Sequence, residues 1–268
     1  MIQTKRRPYA YRSSHRLDLL HLPLADGRSI EVLLKDLTLS GRVVKPDFLH
    51  DPRREIEAYH VLERAGLGTP VCYDTGEHWL LLEKVHGVEL WQVGELETWV
   101  AAAQWLARFH RLFASHPPAG DSLLRYDTAY FRLWPGRVLH HHPALARCIA
   151  GYDKVIDILS GQPTTFIHGE FYASNVLVAA DRFAPVDWEM AGTGPGVLDL
   201  AALVTGWDGE QRAAIIAGYG NVSQPALDAA QLHLALQWLG WSADWMPPPE
   251  HARDWRMEAL AAAERLGL

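Results

Sequence analysis

The stretch FIHGEFYASNVLVAADRFAPVDWEM, residues 166–190, concentrates side chains able to do chemistry. Glu170 and Asn175 lie five positions apart, in a segment whose Gly169, Tyr172 and Ser174 argue against a clean strand. Asn175 precedes the apolar run VLVAA, Asp181-Arg182 turns the chain, and FAPVD returns to end at Asp187. A hairpin brings its two ends together, so Asn175 and Asp187 come side by side with Glu170 just before them. The competing reading is turn chemistry, since Asn and Asp are common at strand ends. Three oxygen-bearing groups without a cysteine suit Mg2+ better than zinc. Mg2+ keeps waters and takes one or two protein ligands plus substrate phosphates.

The elements that must position these groups are readable along the chain. LDLLHLPL and SIEVLLKDL flank ADGR, whose Asp26-Gly27 is a hairpin turn signal, and Lys35 falls near the end of the second strand. DPRREIEAYHVLERAG reads as a helix begun by Asp51 and Pro52 and ended by Gly66, with Ile56, Tyr59, Leu62 and Ala65 at helical spacing. Two further strands are expected in TPVCYDTGEHWLLLEKV, around a turn at Thr75-Gly76. After His86-Gly87 the pattern becomes mainly helical. Trp99, Ala103, Leu106, Ala107, His110 and Phe113 form one stripe, and Ala144–Leu159 is expected as a helix beyond a loop holding Pro135, Gly136 and His140–His142. Further helices are expected near Asp199–Thr205, Gln211–Tyr219, Pro225–Trp241 and His251–Leu266, the last two separated by Pro247–Pro249. The plan is a small strand-rich N-terminal part over 1–86 and a helical part over 87–268, an α+β arrangement.

Protein kinases place a catalytic-loop acid five residues ahead of a metal-holding asparagine, with a later metal-holding Asp. HGEFYASNVLV followed by PVDWEMAGTGPGVLDLAAL resembles the aminoglycoside phosphotransferase and choline kinase family, whose pattern is H-G-D-x-x-x-x-N, then an Asp-Trp-like pair, then D-L-A. WLARFH at 105–110 is similar to that family's L-A-x-x-H helix. The resemblance implies the two-lobed protein-kinase-like fold, with an antiparallel-sheet N-lobe that binds nucleotide and a helical C-lobe carrying the catalytic loop and acceptor pocket. It implies transfer of the γ-phosphate of ATP (or GTP) to a hydroxyl of a small molecule, with Mg2+. Asn175 and Asp187 would ligate the metal, and Glu170 stands at the family's catalytic Asp. Lys35 would contact the nucleotide phosphates. Glu55 is its expected partner, because it shares a helical face with Tyr59 and Leu62, and Glu57 is the second choice. Glu83–Gly87, with Glu83 and Val85, would be the hinge whose backbone meets the adenine. His168 and Asp199 would support the catalytic loop.

Two departures from the pattern matter. Glutamate is one methylene longer than aspartate, and a misplacement of about 1 Å can cost roughly a hundredfold in rate. The turn near Tyr11–His15, where kinases carry a glycine-rich loop, has no glycine. Ser13 and Ser14 there either donate to phosphate or form a plain polar turn. A binding protein without catalysis on the same fold is therefore the alternative.

Lys35 also stands out by composition, since the chain has five lysines against twenty arginines. Five of the eleven tryptophans follow residue 200. Trp241 and Trp245, flanking the proline break, and Asp208 are candidate acceptor-pocket residues, through cation–π contact and carboxylate charge. Packing in helix cores is the competing role for the tryptophans.

The chain has 268 residues, a formal charge of -7 and 49% hydrophobic residues. That balance disfavours a general affinity for nucleic acid or an anionic membrane. Cys72 and Cys148 make neither a disulfide framework nor a zinc site and read as inert thiols. MIQTKRRPYAYR lacks the apolar core of a signal peptide, and no apolar run is long enough to span a bilayer, so the expectation is a cytoplasmic protein.

Overall fold

A computed structural model describes residues 5–9, 15–38, 46, 49–180, 182–241 and 252–268. Strands β1 (Lys5–Pro8), β2 (Arg16–Pro23) and β3 (Ser29–Asp36) open an antiparallel sheet. β2 and β3 pair along their whole length, from Arg16 opposite Asp36 to Pro23 opposite Ser29. The Asp26-Gly27 turn closes them: Gly27 has φ 84°, and Asp26 Oδ1 accepts the Arg28 N–H at 3.0 Å.

Helix α1 (Pro52–Ala65) follows. Asp51 caps it by accepting the Arg53 N–H, Pro52 occupies the first turn, and Gly66 leaves it in the left-handed region at φ 63°. Its buried face carries Glu55, Tyr59 and Leu62. Strands β4 (Cys72–Thr75) and β5 (Trp79–Glu83) complete a sheet of order β1-β2-β3-β5-β4. Lys35 in β3 lies opposite Leu17 and Leu80, and its side chain is buried.

The rest is helical around two small sheets. β6 (Val88–Glu89) leads to α2 (Leu96–Ala114), whose buried Trp99, Ala103, Leu106, Ala107 and His110 form the expected stripe. β7 (Leu124–Arg125) precedes α3 (Thr128–His141). The expected loop with Pro135, Gly136 and His140–His142 is thus corrected, since all but His142 lie inside α3. An internal proline costs a helix about 3 kcal/mol. α3 offsets that by burying Tyr130, Phe131, Trp134 and Val138, mainly against α8 (Gln224–Trp241). Each such side chain contributes roughly 1.5–3 kcal/mol. Trp134→Ala is therefore expected to cost about 3–5 kcal/mol, read as a lower urea midpoint.

The helix expected over Ala144–Leu159 is divided into α4 (Ala146–Ala150) and α5 (Asp153–Ser160). At the break, a Cβ on Gly151 would meet Leu268 Cδ2 at 2.7 Å, so a side chain from far along the chain closes on that point. β8 (Thr164–Ile167) leads into the stretch of interest. β9 (Val176–Val178) and β10 (Phe183–Pro185) form its hairpin, with β6 added to the β9 edge. β11 (Gly192–Pro195) lies between β7 and β8. α6 (Val197–Leu203), α7 (Gly209–Tyr219), α8 and α9 (Trp255–Arg265) follow. α8 is buried almost all round, because α3, α5, α6 and α9 pack on it. Pro247–Pro249 lie outside the described residues. Among the described residues no helix is long and apolar enough to cross a membrane.

Candidate active site

The β9–β10 hairpin fixes Asn175 and Asp187 at its two ends. Val176 lies opposite Pro185, and the Val186 N–H donates to the Asn175 carbonyl at 2.9 Å. Asn175 Nδ2 donates to the Glu170 carbonyl at 3.0 Å, which leaves its Oδ1 as the atom able to meet a cation. Asp187 has φ 65° and ψ 61°, and no other non-glycine described residue has a positive φ. That conformation is costly for a residue with a Cβ and tends to mark functional turns. Packing just beyond it holds it there. Trp188 is fully buried, stacks on Phe166 at 5.9 Å, and donates from Nε1 to the Pro185 carbonyl at 3.0 Å.

Lys35 reaches this turn from β3. Its Nζ lies 2.5 Å from Asp187 Oδ1 and 2.8 and 2.7 Å from the two Glu55 oxygens. Burial alone would lower its pKa, but Asp187 and Glu55 reverse that and hold it well above the ordinary lysine value. Glu55 is fully buried, and burial pushes its carboxyl up against the opposing pull of Lys35. Glu55 Oε1 also accepts the Trp188 N–H at 3.2 Å, so one carboxylate links Lys35 to the Asp187 turn. Glu57 points elsewhere and accepts the Ser122 N–H at 3.1 Å.

The loop carrying Glu170 is pinned from below by Asp199 in α6. Asp199 Oδ2 accepts the His168 N–H at 2.7 Å and Oδ1 accepts the Gly169 N–H at 2.8 Å. His168 Nε2 meets the Val186 carbonyl at 2.9 Å, tying the loop to the Asp187 turn. Burial holds the His168 imidazole below its ordinary pKa, which favours the neutral ring. Gly169 has φ 83°, and a Cβ there would lie 2.1 Å from the Tyr126 hydroxyl, so the glycine is required. Glu170 is 7% exposed, and its charge acts on the buried hydroxyls of Tyr126, Tyr130 and Tyr172. Burial, then the Glu170 charge among other causes, pushes the Tyr130 hydroxyl above the ordinary tyrosine range.

Other expectations are redistributed. Glu83 donates its backbone N–H to the Val71 carbonyl at 2.8 Å, and its carboxylate pairs with Arg182 and accepts the Val71 N–H. Val85 is half-buried just beyond β5. Trp241 is buried and parallel to Trp134, with centroids 6.1 Å apart, so it packs in the helical core. Asp208 is exposed at the start of α7, which packs on α2. Ser13, Ser14 and Trp245 lie outside the described residues. His140 and His141 are exposed, and no group of three or more potential metal-holding His, Cys, Asp or Glu occurs among the described residues. Cys72 is half-buried and Cys148 buried, and burial pushes both thiols up to about 11.

Two residues have larger parts than sequence reasoning assigned them. His110, expected as a packed helix histidine, is buried and also sits 3.2 Å from Asp199 Oδ2, with Nδ1 2.8 Å from the Tyr219 hydroxyl. The WLARFH motif was its only signal. Arg54 is buried beside Glu55 and donates to the Glu189 carbonyl, two residues past Asp187, which nothing in its local sequence announces.

Residues 23–233 match the model described as "Phosphotransferase enzyme family". No curated protein matches the chain in sequence. Among solved structures, choline kinase from Cryptosporidium parvum Iowa II is similar at a TM-score of 0.65 and 11% identity, covering 98% of this chain and 87% of that one. The ADP-bound aminoglycoside phosphotransferase APH(2'')-Ib is similar at 0.63 and 15%, covering 98% and 94%. Macrolide 2'-phosphotransferase MphH from Brachybacterium faecium is similar at 0.59 and 16%, covering 96% and 91%. At these identities what is shared is the fold, and that fold is protein-kinase-like. A family match over most of the chain makes this protein a member of the phosphotransferase enzyme family.

Proposed function

We propose that the protein transfers the γ-phosphate of ATP or GTP to a hydroxyl of a small molecule, with Mg2+. The observation that carries this reading is Lys35, a buried ammonium held at once by Glu55 and Asp187. Phosphoryl transfer asks a protein mainly for positioning and charge neutralisation. In this reading Lys35 meets the nucleotide phosphates, with Glu55 fixing its direction. The adenine rests on the hinge, at the Glu83 carbonyl and the backbone of Val85. The N-lobe is 1–86 and the C-lobe 87–268.

The donor set at the hairpin suits the metal. Asp187 and the Asn175 amide oxygen are hard ligands, few enough for an ion that keeps its waters. Asp187 already has a cation against it, the Lys35 ammonium, so its carboxylate is directed at a place where positive charge sits. Mg2+ would supply charge neutralisation at the phosphates when bound. Glu170 would orient the acceptor hydroxyl and take its proton. Asp199 and His168 hold the loop that presents it.

The test is thermal shift with MgATP on the wild type and Asp187→Ala. Stabilisation of the wild type by several degrees is expected, by mass action of a ligand bound only to the folded state, and its loss in the variant. A wild type unmoved by MgATP removes the kinase reading. Glu170, where aspartate is usual, favours a second reading, a nucleotide-holding protein without transfer. Stabilisation with no phosphate transfer to any of a panel of alcohols selects that one.

A further inference from the structure

Arg54 is 4% exposed, and its guanidinium is directed at backbone carbonyls. Nη1 donates to Leu49 at 2.8 Å and to Glu189 at 3.0 Å, and Nε donates to Ser122 at 3.0 Å. These come from the approach to α1, from the turn after Asp187, and from the segment before β7. Glu57, one helical turn along, accepts the Ser122 N–H at 3.1 Å. Both backbone polar groups of Ser122 are therefore gripped by side chains of α1. The segment passes so close that a Cβ on Gly120 would lie 1.8 Å from Glu57 Oε1. Between these two residues stands Glu55, which takes the Trp188 N–H while Arg54 takes the next carbonyl, that of Glu189.

We infer that Arg54, with Glu57, is a positioning residue that clamps α1 onto the helical half and thereby keeps Glu55 on Lys35. Glu55 stays on the ammonium only if α1 keeps its place over the Asp187 turn. Rotating or lifting α1 breaks the Arg54 and Glu57 bonds to Ser122 and the Arg54 bond to Glu189 together. The planar fork of arginine serves three carbonyls in different directions, and a lysine cannot reproduce that set. Carbonyl acceptors suit a fixed strut. Unlike a carboxylate partner, they carry no full charge that pH or a modification would change. The clamp makes the engaged lysine–glutamate pair the resting state of the fold. Its consequence for nucleotide binding rests on the kinase reading above.

The experiment compares wild type, Arg54→Met and Glu57→Ala as full chains by amine acylation with peptide mass spectrometry. Lys35 is the reporter, and Lys154, which bonds the Leu266 carbonyl on a distant helix, is the internal control. Lys35 is expected to acylate about tenfold faster in Arg54→Met, as local opening of α1 exposes it, with a smaller rise in Glu57→Ala and no change at Lys154. Unchanged Lys35 rates in both variants overturn the clamp. If Arg54→Met speeds both lysines, the variant is globally loosened and Glu57→Ala decides, a rise at Lys35 alone supporting the clamp and no rise overturning it. MgATP affinity gives the second readout. It is expected to fall about tenfold in Arg54→Met but no further when Arg54→Met is added to Glu55→Gln, because residues acting through one another are non-additive. Additive losses would reduce Arg54 to a general stability role and overturn the proposal. A wild type that fails to bind MgATP removes the kinase reading and leaves acylation to judge the clamp by itself.

Discussion

Glu170→Ala is expected to lower phosphate transfer by about 10²–10⁴-fold, the usual contribution of a positioned general base, while MgATP still raises the melting temperature. The two readouts separate because the groups are separate. Glu170 sits on the loop pinned by Asp199 and His168, whereas the groups proposed to meet the nucleotide are Lys35, Glu55 and Asp187. The loop is expected to keep its fold, since backbone groups of Glu170 help to hold it. The Glu170 carbonyl accepts from Asn175 Nδ2 and from the Tyr172 N–H, and the Glu170 N–H faces His168 Nδ1 at 3.3 Å. Transfer of labelled γ-phosphate to a panel of alcohols is the measurement. Full activity in Glu170→Ala would remove Glu170 from the chemistry. Glu170→Asp is the finer probe. A gain means that the longer side chain compromises the wild-type site, and a loss means that the loop is fitted to glutamate, because about 1 Å of displacement is worth roughly a hundredfold.

Asp199→Ala is expected to cost about 2–5 kcal/mol of stability and to abolish transfer, because it strands the His168 and Gly169 N–H groups in the interior. Asp199 is completely buried and is the shared acceptor for those two N–H groups and a contact of His110 Nε2. Asp199→Asn sharpens the test. An amide offers one oxygen where the carboxylate offers two, so one N–H of the loop would face an NH2 group. The urea midpoint is expected to fall in both variants, with transfer lost in Asp199→Asn even where the protein remains folded. A midpoint unchanged in Asp199→Ala would mean that the loop is held by other contacts and that Asp199 is dispensable to it.

These expectations differ in how far they were visible before folding. The β2–β3 hairpin and the limits of α1 depend on Asp26-Gly27, Asp51-Pro52 and Gly66, which act on their own peptide groups within a few residues. Local chemistry of that kind reads directly from sequence. The Asn175–Asp187 hairpin is similar, since a turn and two short apolar runs suffice to bring its ends together. Pro135 shows the limit of such reading. Its local signal is helix-breaking, and only the apolar face that α3 presents to α8 outweighs it. Trp241 shows the same limit, because its role depends on whether Trp134 lies across from it.

By itself the sequence determined the types and order of the reactive groups, the strand-then-helix plan, and the anomaly of glutamate at position 170. Tertiary structure decided which of those groups meet. Lys35 and Asp187 are 152 positions apart and His110 and Asp199 89 apart, and those contacts exist only because the sheet, α1, α2 and α6 pack as they do. Side-chain spacing encodes what lies within a turn or two of helix or across one hairpin. A guanidinium that grips three distant carbonyls, as Arg54 does, has no local signature, because the backbone groups it meets are the same in every residue.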